Sequence, residues 1–256
     1  MFKALAIGGL LGLLSGFFGL GGSSVATPLL RVVLGLAPLL ALATPLPVAI
    51  PGSALAAWTY QRSGNLDVRV GLWTLVTSLP AALVGARLSA WAPTRALMLL
   101  TGALVLVVGA VFVVQPMLRP PRRPGSPALR QPRPLRRGRV LLIGAVVGLL
   151  SGLLANGGGI LLAPAYMLLL RLTTKEAFGT SLFVVVGTAL PSSVLHGVLG
   201  HIDYALVPAL TVGMMPMAVL GARLAVAAPP RLMRQLYGAA MVALAVVFVW
   251  GEIRPH

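Results

Sequence analysis

The stretch GLGGSSVATP, residues 19–28, interrupts an apolar run that extends from residue 4 to residue 36. A continuous helix over this run would be about 50 Å long, whereas the hydrocarbon core of a bilayer is about 30 Å thick. Three glycines and two serines in its middle also disfavour a helix at that point. We therefore expect the segment to break into two shorter helices near Gly21 and Gly22.

The composition is that of a membrane protein. Of 256 residues, 58% are hydrophobic and 9% are charged, with a mean hydropathy of +0.96. These values predict an all-α polytopic membrane protein with about 8 long apolar segments, or up to 10 if each broken segment is two crossings. The expected segments are 4–36, 39–61, 70–92, 96–115, 140–172, 177–199, 204–227 and 232–250.

The chain contains one unit written twice. A shift of 136 residues aligns positions 8–115 with 144–251 without a gap, and about 33 of the 108 aligned pairs are identical. The sequence GLLSG recurs at 12–16 and 148–152, and GARL recurs at 85–88 and 221–224. We therefore predict a first transmembrane repeat at 1–116, a linker at 117–139 and a second transmembrane repeat at 140–256, as in many secondary transporters.

Basic residues bear on the orientation of the two halves. If the broken segment crosses once, the halves are parallel and the basic residues divide 12 cytoplasmic to 8 external. If it turns back or crosses twice, the halves are inverted and the division is 15 to 5. The positive-inside rule favours inversion, which places both termini outside and the linker in the cytoplasm.

The linker also accounts for much of the net charge of +16. Eight of the 20 basic residues lie between Arg119 and Arg139, in a run without an acid, where prolines and glycines disfavour a helix. A cytoplasmic linker explains this run, and nucleic-acid binding is not expected because aromatic stacking residues are missing from it. The chain has no cysteine, which excludes disulfides and thiolate metal sites.

The two glycine-rich breaks are the candidate binding site. The N–H groups at a helix N-terminus carry about half a positive charge and bind anions, and glycine permits close approach to the backbone. The expected substrate-binding residues are the two breaks and a threonine in each following segment: Gly21, Gly22, Ser23, Ser24, Thr44, Asn156, Gly157, Gly158, Gly159 and Thr180. Packing of small residues is the alternative for the breaks, and repair of proline kinks is the alternative for Thr44 and Thr180.

Other polar residues have more ordinary interpretations. We expect Ser53, Ser192 and Ser193 to repair kinks, and Asp67 and Asp203 to form caps or interfacial salt bridges. Arg87 and Arg223 are expected to extend to the lipid headgroups, with a role at the mouth of an anion route as the alternative. His196 and His201 are expected to be interfacial rather than a proton relay.

The chain resembles the TauE/SafE sulfite exporter family, also called TSUP. The resemblance rests on GLLSGFFGLGGSSVATPLL at 12–30, GLLSGLLANGGGILLAPAYML at 148–168, AFGTS at 177–181, the two G-x-x-D loops at 64–67 and 200–203, and the two GARL sequences. It implies a carrier in the bacterial cytoplasmic membrane for sulfite, sulfonates or similar small anions.

The function predicted is a secondary transporter and not an enzyme. The partners expected are a small anionic substrate and the lipid bilayer, with no nucleic acid, cofactor or metal; a proton or sodium coupling ion and a homo-oligomer are left open. The alternatives are a passive anion channel and an intramembrane lipid phosphatase. The phosphatase is disfavoured because the broken segments contain no Asp, Glu or His.

Overall fold

A computed structural model describes residues 2–89, 91–118, 136–154 and 158–253. Within these ranges every regular element is an α-helix. The helices are α1 (Phe2–Phe18), α2 (Ser23–Leu34), α3 (Pro38–Ala43), α4 (Pro45–Arg62), α5 (Val68–Ser89), α6 (Thr94–Leu118), α7 (Arg137–Leu153), α8 (Gly159–Leu169), α9 (Thr174–Val198), α10 (Val207–Ala227) and α11 (Pro230–Ile253).

Five of the described segments are long and apolar enough to cross a membrane. They are α3 and α4 together, α5, residues 95–112 of α6, α9, and α10. Large apolar side chains cover the outer faces of these helices; Leu72 and Val76 of α5 are 52% and 59% exposed, and Val212 of α10 is 63% exposed. Such surfaces suit contact with lipid. The all-helical, membrane-spanning architecture is therefore confirmed.

The linker expected at 117–139 is shorter than the sequence suggested. Helix α6 continues to Leu118, and α7 already begins at Arg137. The last proline of the basic run is Pro134, so nothing after it interrupts a helix. The remaining linker residues, 119–135, lie outside the described residues.

The first apolar segment leaves the helical path at the glycines. Helix α1 ends at Phe18 and α2 begins at Ser23, and between them Gly19, Gly21 and Gly22 have φ values of 70°, 74° and 82°. Residues with a side chain rarely adopt such angles, which is why glycine occupies these positions. In the second half α7 ends at Leu153 and α8 begins at Gly159, so the helix is interrupted at the corresponding place.

Two pairs of helices pack at backbone contact. A Cβ atom on Gly8, Gly12 or Gly16 of α1 would overlap the carbonyl oxygen of Leu210, Met214 or Ala218 of α10, respectively. The same relation joins Gly144, Gly148 and Gly152 of α7 to Thr74, Ser78 and Ala82 of α5. Contacts progress in the same direction along both partners, so each pair is parallel. The glycines before each break therefore serve close helix packing.

Two equivalent hydrogen bonds, related by the shift of 136 residues, give the relative direction of α4 and α9. The backbone N–H of Asp67, just after α4, donates to Oγ1 of Thr180 near the start of α9, at 3.0 Å. Conversely, the N–H of Asp203, just after α9, donates to Oγ1 of Thr44 at the start of α4, also at 3.0 Å. The end of each helix thus lies beside the start of the other, and α4 and α9 are antiparallel.

Replacing Gly12 with alanine should destabilise the protein by about 1–3 kcal/mol, because the new methyl group overlaps the Met214 backbone. Gly9→Ala in the same helix is the matched control, since its nearest neighbour outside the helix would be Met217 Cγ at 3.6 Å, an ordinary contact. Thermal unfolding in detergent measures the difference. Equal melting temperatures for Gly12→Ala and Gly9→Ala would contradict this packing.

Candidate functional site

The two helix breaks touch each other. A Cβ on Gly159, the first residue of α8, would overlap the carbonyl oxygen of Leu20 in the first break. Leu20 has no exposed surface, and the first break is also packed against α9, where Phe178 and Val185 lie beside Gly19 and Gly21. The interruptions, far apart in sequence, therefore form one buried region at the centre of the helix bundle.

Hydroxyl groups donate to backbone carbonyl groups at and beside the breaks. Ser181 Oγ lies 2.9 Å from the carbonyl oxygen of Gly19 and 3.4 Å from that of Gly159. The Tyr60 hydroxyl donates to the carbonyl of Gly16 at 3.1 Å, and the Tyr237 hydroxyl donates to that of Ile160 at 2.9 Å. Because an unpaired carbonyl costs several kcal/mol in hydrocarbon, these donors permit the irregular backbone.

The residues that precede helices α2 and α8 cannot cap them with a side chain, because both are glycines. Helix α2 is preceded by Gly22 and helix α8 by Gly158; both glycines have φ of 82°, and neither helix has a side-chain cap. The first N–H groups of an α-helix lack intrahelical acceptors and carry a partial positive charge. Since no acid occurs in residues 4–36 or 140–172, the region favours a negatively charged ligand.

Aromatic packing fixes the position of α11 beside this region. The buried ring of Tyr237 contacts the rings of Phe18, Phe112 and Phe178 at centroid distances of 5.9, 5.0 and 5.5 Å. These rings come from α1, α6 and α9, so one tyrosine joins four helices while its hydroxyl binds the Ile160 carbonyl. Tyr237 thereby holds the start of α8 beside α6 and α11.

The structure places most of the residues predicted for the site together. Gly21, Gly22 and Ser23 are buried at the start of α2, and Gly158 and Gly159 are buried at the start of α8. Thr44 and Thr180 are fully buried, one at each end of the antiparallel pair formed by α4 and α9. The Ser24 side chain, Asn156 and Gly157 lie outside the described residues.

The two threonines have a role that the sequence did not suggest. The hydroxyl oxygens of Thr180 and Thr44 accept hydrogen bonds from the backbone N–H groups of Asp67 and Asp203, which belong to the G-x-x-D loops. Each threonine thus fastens the loop of the opposite half. The predicted capping role is confirmed for Asp67, because its Oδ1 accepts from the N–H of Val70 in the first turn of α5 at 3.0 Å. Asp203 Oδ1 accepts from the N–H of Ala205 at 3.0 Å in the turn before α10, a helix without a side-chain cap.

The expectation for three serines is wrong. The buried hydroxyls of Ser53, Ser192 and Ser193 have no hydrogen-bond partner, so they do not repair the proline kinks. In α9 the hydroxyl of Thr188 bonds the carbonyls of Val184 and Val185 instead, at 3.1 and 3.3 Å. Arg87 and Arg223 are exposed on α5 and α10, which agrees with extension toward headgroups.

His196 and His201 contact each other, although they were expected to be separate interfacial residues. Their Nδ1 atoms are 3.1 Å apart, so one ring donates a hydrogen bond to the other. Partial burial lowers the pKa of His201, which lies in the loop after α9. His196 occupies the position equivalent to Tyr60, so the second half has imidazoles where the first has a phenol.

Three serines near the breaks were not among the predicted site residues. Ser181 bridges the breaks, and it follows Thr180 within the AFGTS sequence. Ser15 and Ser151 are buried equivalents in the repeated GLLSG sequence, with hydroxyls that have no hydrogen-bond partner. Exact repetition of a polar residue within an apolar helix was the available signal, but the glycines around it pointed to packing alone.

Comparison with known proteins identifies the family to which the chain belongs. The profile of the family described as Sulfite exporter TauE/SafE matches residues 4–248, nearly the whole chain. The chain belongs to this family. It is a multi-pass membrane protein, and its relatives are described as transporters.

Two relatives illustrate the extent of the similarity. A probable membrane transporter protein of Xylella fastidiosa is 29% identical over 256 residues, covering 95% of this chain and 92% of its own. The probable membrane transporter protein YdhB of Bacillus subtilis is 24% identical over 214 residues, covering 84% and 86%. No solved structure shows a significant match.

Ser181→Ala should lower the free energy of unfolding by about 1–3 kcal/mol, because it leaves the buried Gly19 carbonyl without its donor. Ser192→Ala is the control in the same helix, since the fully buried Ser192 hydroxyl has no partner to lose. Chemical unfolding in mixed micelles compares the two variants. Destabilisation by Ser192→Ala equal to that by Ser181→Ala would refute the bridge.

Proposed function

We propose that this protein is a secondary transporter of small organic or sulfur-containing anions, such as sulfite or a sulfonate, in the bacterial cytoplasmic membrane. The observation that carries the proposal is a difference between carbonyl groups and N–H groups at the breaks. At the first break hydroxyl donors satisfy carbonyls near the end of α1, whereas α2 and α8 are preceded by glycines, which have no side chain to cap them. A substrate with oxyanion oxygens suits such helix N-termini.

The apolar surroundings increase the effect of these donors. Coulombic attraction grows as the local dielectric falls, so a partial charge at a buried helix terminus acts more strongly than one in water. The surroundings provide no fixed anion to compete with a substrate, because residues 4–36 and 140–172 contain no acid. An anion therefore fits this region better than a cation of the same size.

The proposed substrate-binding set includes residues at both breaks. On the first side it contains Gly21, Gly22, Ser23 and Ser24, and on the second side Gly157, Gly158 and Gly159 together with Asn156. Thr44 and Thr180 adjoin the set; by fastening the G-x-x-D loops they link the site to the ends of α4 and α9. The lipid bilayer is the proposed environment of the bundle.

We also propose that residues 1–116 and 140–256 are inverted repeats joined by a cytoplasmic linker. The antiparallel packing of α4 and α9 supports this arrangement, because these helices occupy equivalent positions in the two halves. An axis that exchanges antiparallel membrane helices lies in the membrane plane, as in other transporters with inverted repeats. The basic run 119–139 supports a cytoplasmic linker.

Saturable transport of [35S]sulfite or sulfoacetate into proteoliposomes tests the function. Uptake should accelerate when the same anion is present on the opposite side, as a carrier requires and a passive channel does not. Gly158→Val and Gly22→Val should abolish transport, because valine at φ of 82° distorts the amide end of each break.

Gly35→Val is the control for backbone strain. Gly35 also has a positive φ, 67°, but nothing lies within 4 Å of its Cβ position, so transport should persist. Wild-type transport by Gly158→Val and Gly22→Val would remove the breaks from the site. Absence of transport by the unchanged protein, for both anions, would remove the proposed function.

The inverted arrangement predicts that both chain termini lie outside the cytoplasm while the linker lies within it. Paired phosphatase and fluorescent-protein fusions at each terminus and in the linker measure the location of each point. Both termini in the cytoplasm, on the same side as the linker, would instead require parallel halves.

A further inference from the structure

Among the described residues, the two breaks leave different amounts of room beside their capping glycines. A Cβ on Gly22 would lie 2.7 Å from Cε of Met214, which is closer than real Cβ contacts. A Cβ on Gly158 would have its nearest neighbours, in Ser151 and Val147, at 3.4 Å, an ordinary van der Waals distance. The space beside Gly158 therefore accepts another heavy atom, whereas the space beside Gly22 is filled.

One pair of equivalent positions contributes to the difference. Met214 of α10 and Ser78 of α5 are related by the shift of 136 residues. The Met214 side chain reaches both Gly22 and Gly52, at 2.7 and 2.8 Å from their Cβ positions. Serine is shorter by two heavy atoms, and the buried Ser78 hydroxyl has no hydrogen-bond partner. A methionine thus fills at the first break the kind of space that a serine leaves at the second.

Ser151 is directed at this space. It is 1% exposed, its hydroxyl has no hydrogen-bond partner, and its Oγ lies 3.4 Å from the Cβ position of Gly158. Ser151 and Gly158 line one pocket, whose walls are the apolar side chains Leu150, Leu154, Ile160 and Leu161. Helix α8 has 11 residues and begins at the pocket without a side-chain cap. A buried donor and a helix N-terminus therefore converge where an atom fits.

We propose that the carrier binds one oxyanion group per chain, at the second break, where the Ser151 hydroxyl donates to it beside the N-terminus of α8. Met214 fills the counterpart at the first break, so the equivalent Ser15 does not contact substrate. This inference rests on the proposed function, because it divides that site unequally between the two halves.

Cysteine labelling tests the inequality without measuring transport, since the natural chain has no cysteine. Ser151→Cys and Ser15→Cys are matched variants, being 1% and 0% exposed at equivalent positions. The probe is 2-sulfonatoethyl methanethiosulfonate, a small anionic reagent that modifies thiols. The Ser151→Cys variant should react about tenfold faster than the Ser15→Cys variant, because Met214 fills the first break and the N-terminus of α8 attracts the anionic reagent at the second. Equal rates, or a faster rate at 15, would overturn the proposal.

Exchanging the equivalent residues should exchange the reactivity. Met214→Ser should accelerate labelling of the Ser15→Cys variant, because it removes the side chain that fills the first break. Ser78→Met should slow labelling of the Ser151→Cys variant. If either second substitution leaves the rate unchanged in a monodisperse protein, Met214 and Ser78 do not control access, and the proposal fails.

Alanine variants connect the labelling to the proposed function. Ser151→Ala should raise the KM for [35S]sulfite or sulfoacetate about tenfold, whereas Ser15→Ala should leave it unchanged. If the unchanged protein transports the anions and both alanine variants change the KM equally, only the assignment of the oxyanion to the second break is overturned. Unequal cysteine labelling in a protein that transports neither anion would overturn the proposed function, and with it the assignment of the oxyanion to substrate.

Discussion

An unpaired backbone group is expensive in hydrocarbon, and this constraint governs the structure around the breaks. Carbonyls near the end of α1 are satisfied by hydroxyls of Tyr60 in α4 and Ser181 in α9, and the carbonyl of Ile160 by Tyr237 in α11. These donors come from distant parts of the chain, so an interrupted helix is stable only inside the assembled bundle. The irregular backbone is accordingly buried at the centre and not exposed to lipid.

Glycine makes the assembly possible in two distinct ways. In α1 and α7 it removes side chains where neighbouring backbones touch, as at Gly12 beside Met214 and Gly148 beside Ser78. At Gly22 and Gly158 it permits a positive φ, which turns the chain into the next helix. The first use brings helices close enough for the hydroxyl donors to reach their acceptors. The second starts helices α2 and α8 within this buried region.

The breaks could be located from the sequence, because the apolar run is too long for the bilayer core and contains several glycines in its middle. They could be paired because the repeat aligns Gly22 with Gly158. The bridge by Ser181 could not be found from the sequence, since the equivalent residue is Pro45, which cannot donate, and no repeated signal marks it. The same is true of the bonds of Thr44 and Thr180 to the opposite loops, 159 and 113 residues away along the chain. A local sequence pattern predicts where helices begin and end, whereas these hydrogen bonds depend on which helices pack against each other.

The contacts also bear on which parts of a carrier of this kind could move together. Helix α1 of the first half packs at backbone contact on α10 of the second, and α7 of the second packs on α5 of the first. Separating the sequence halves as rigid bodies would break both of these close interfaces. Each tight pair is instead a unit that draws one helix from each half, with α4 and α9 between the pairs. A rearrangement that preserves the glycine contacts must therefore shift one mixed unit against the other, across the region where Leu20 meets Gly159.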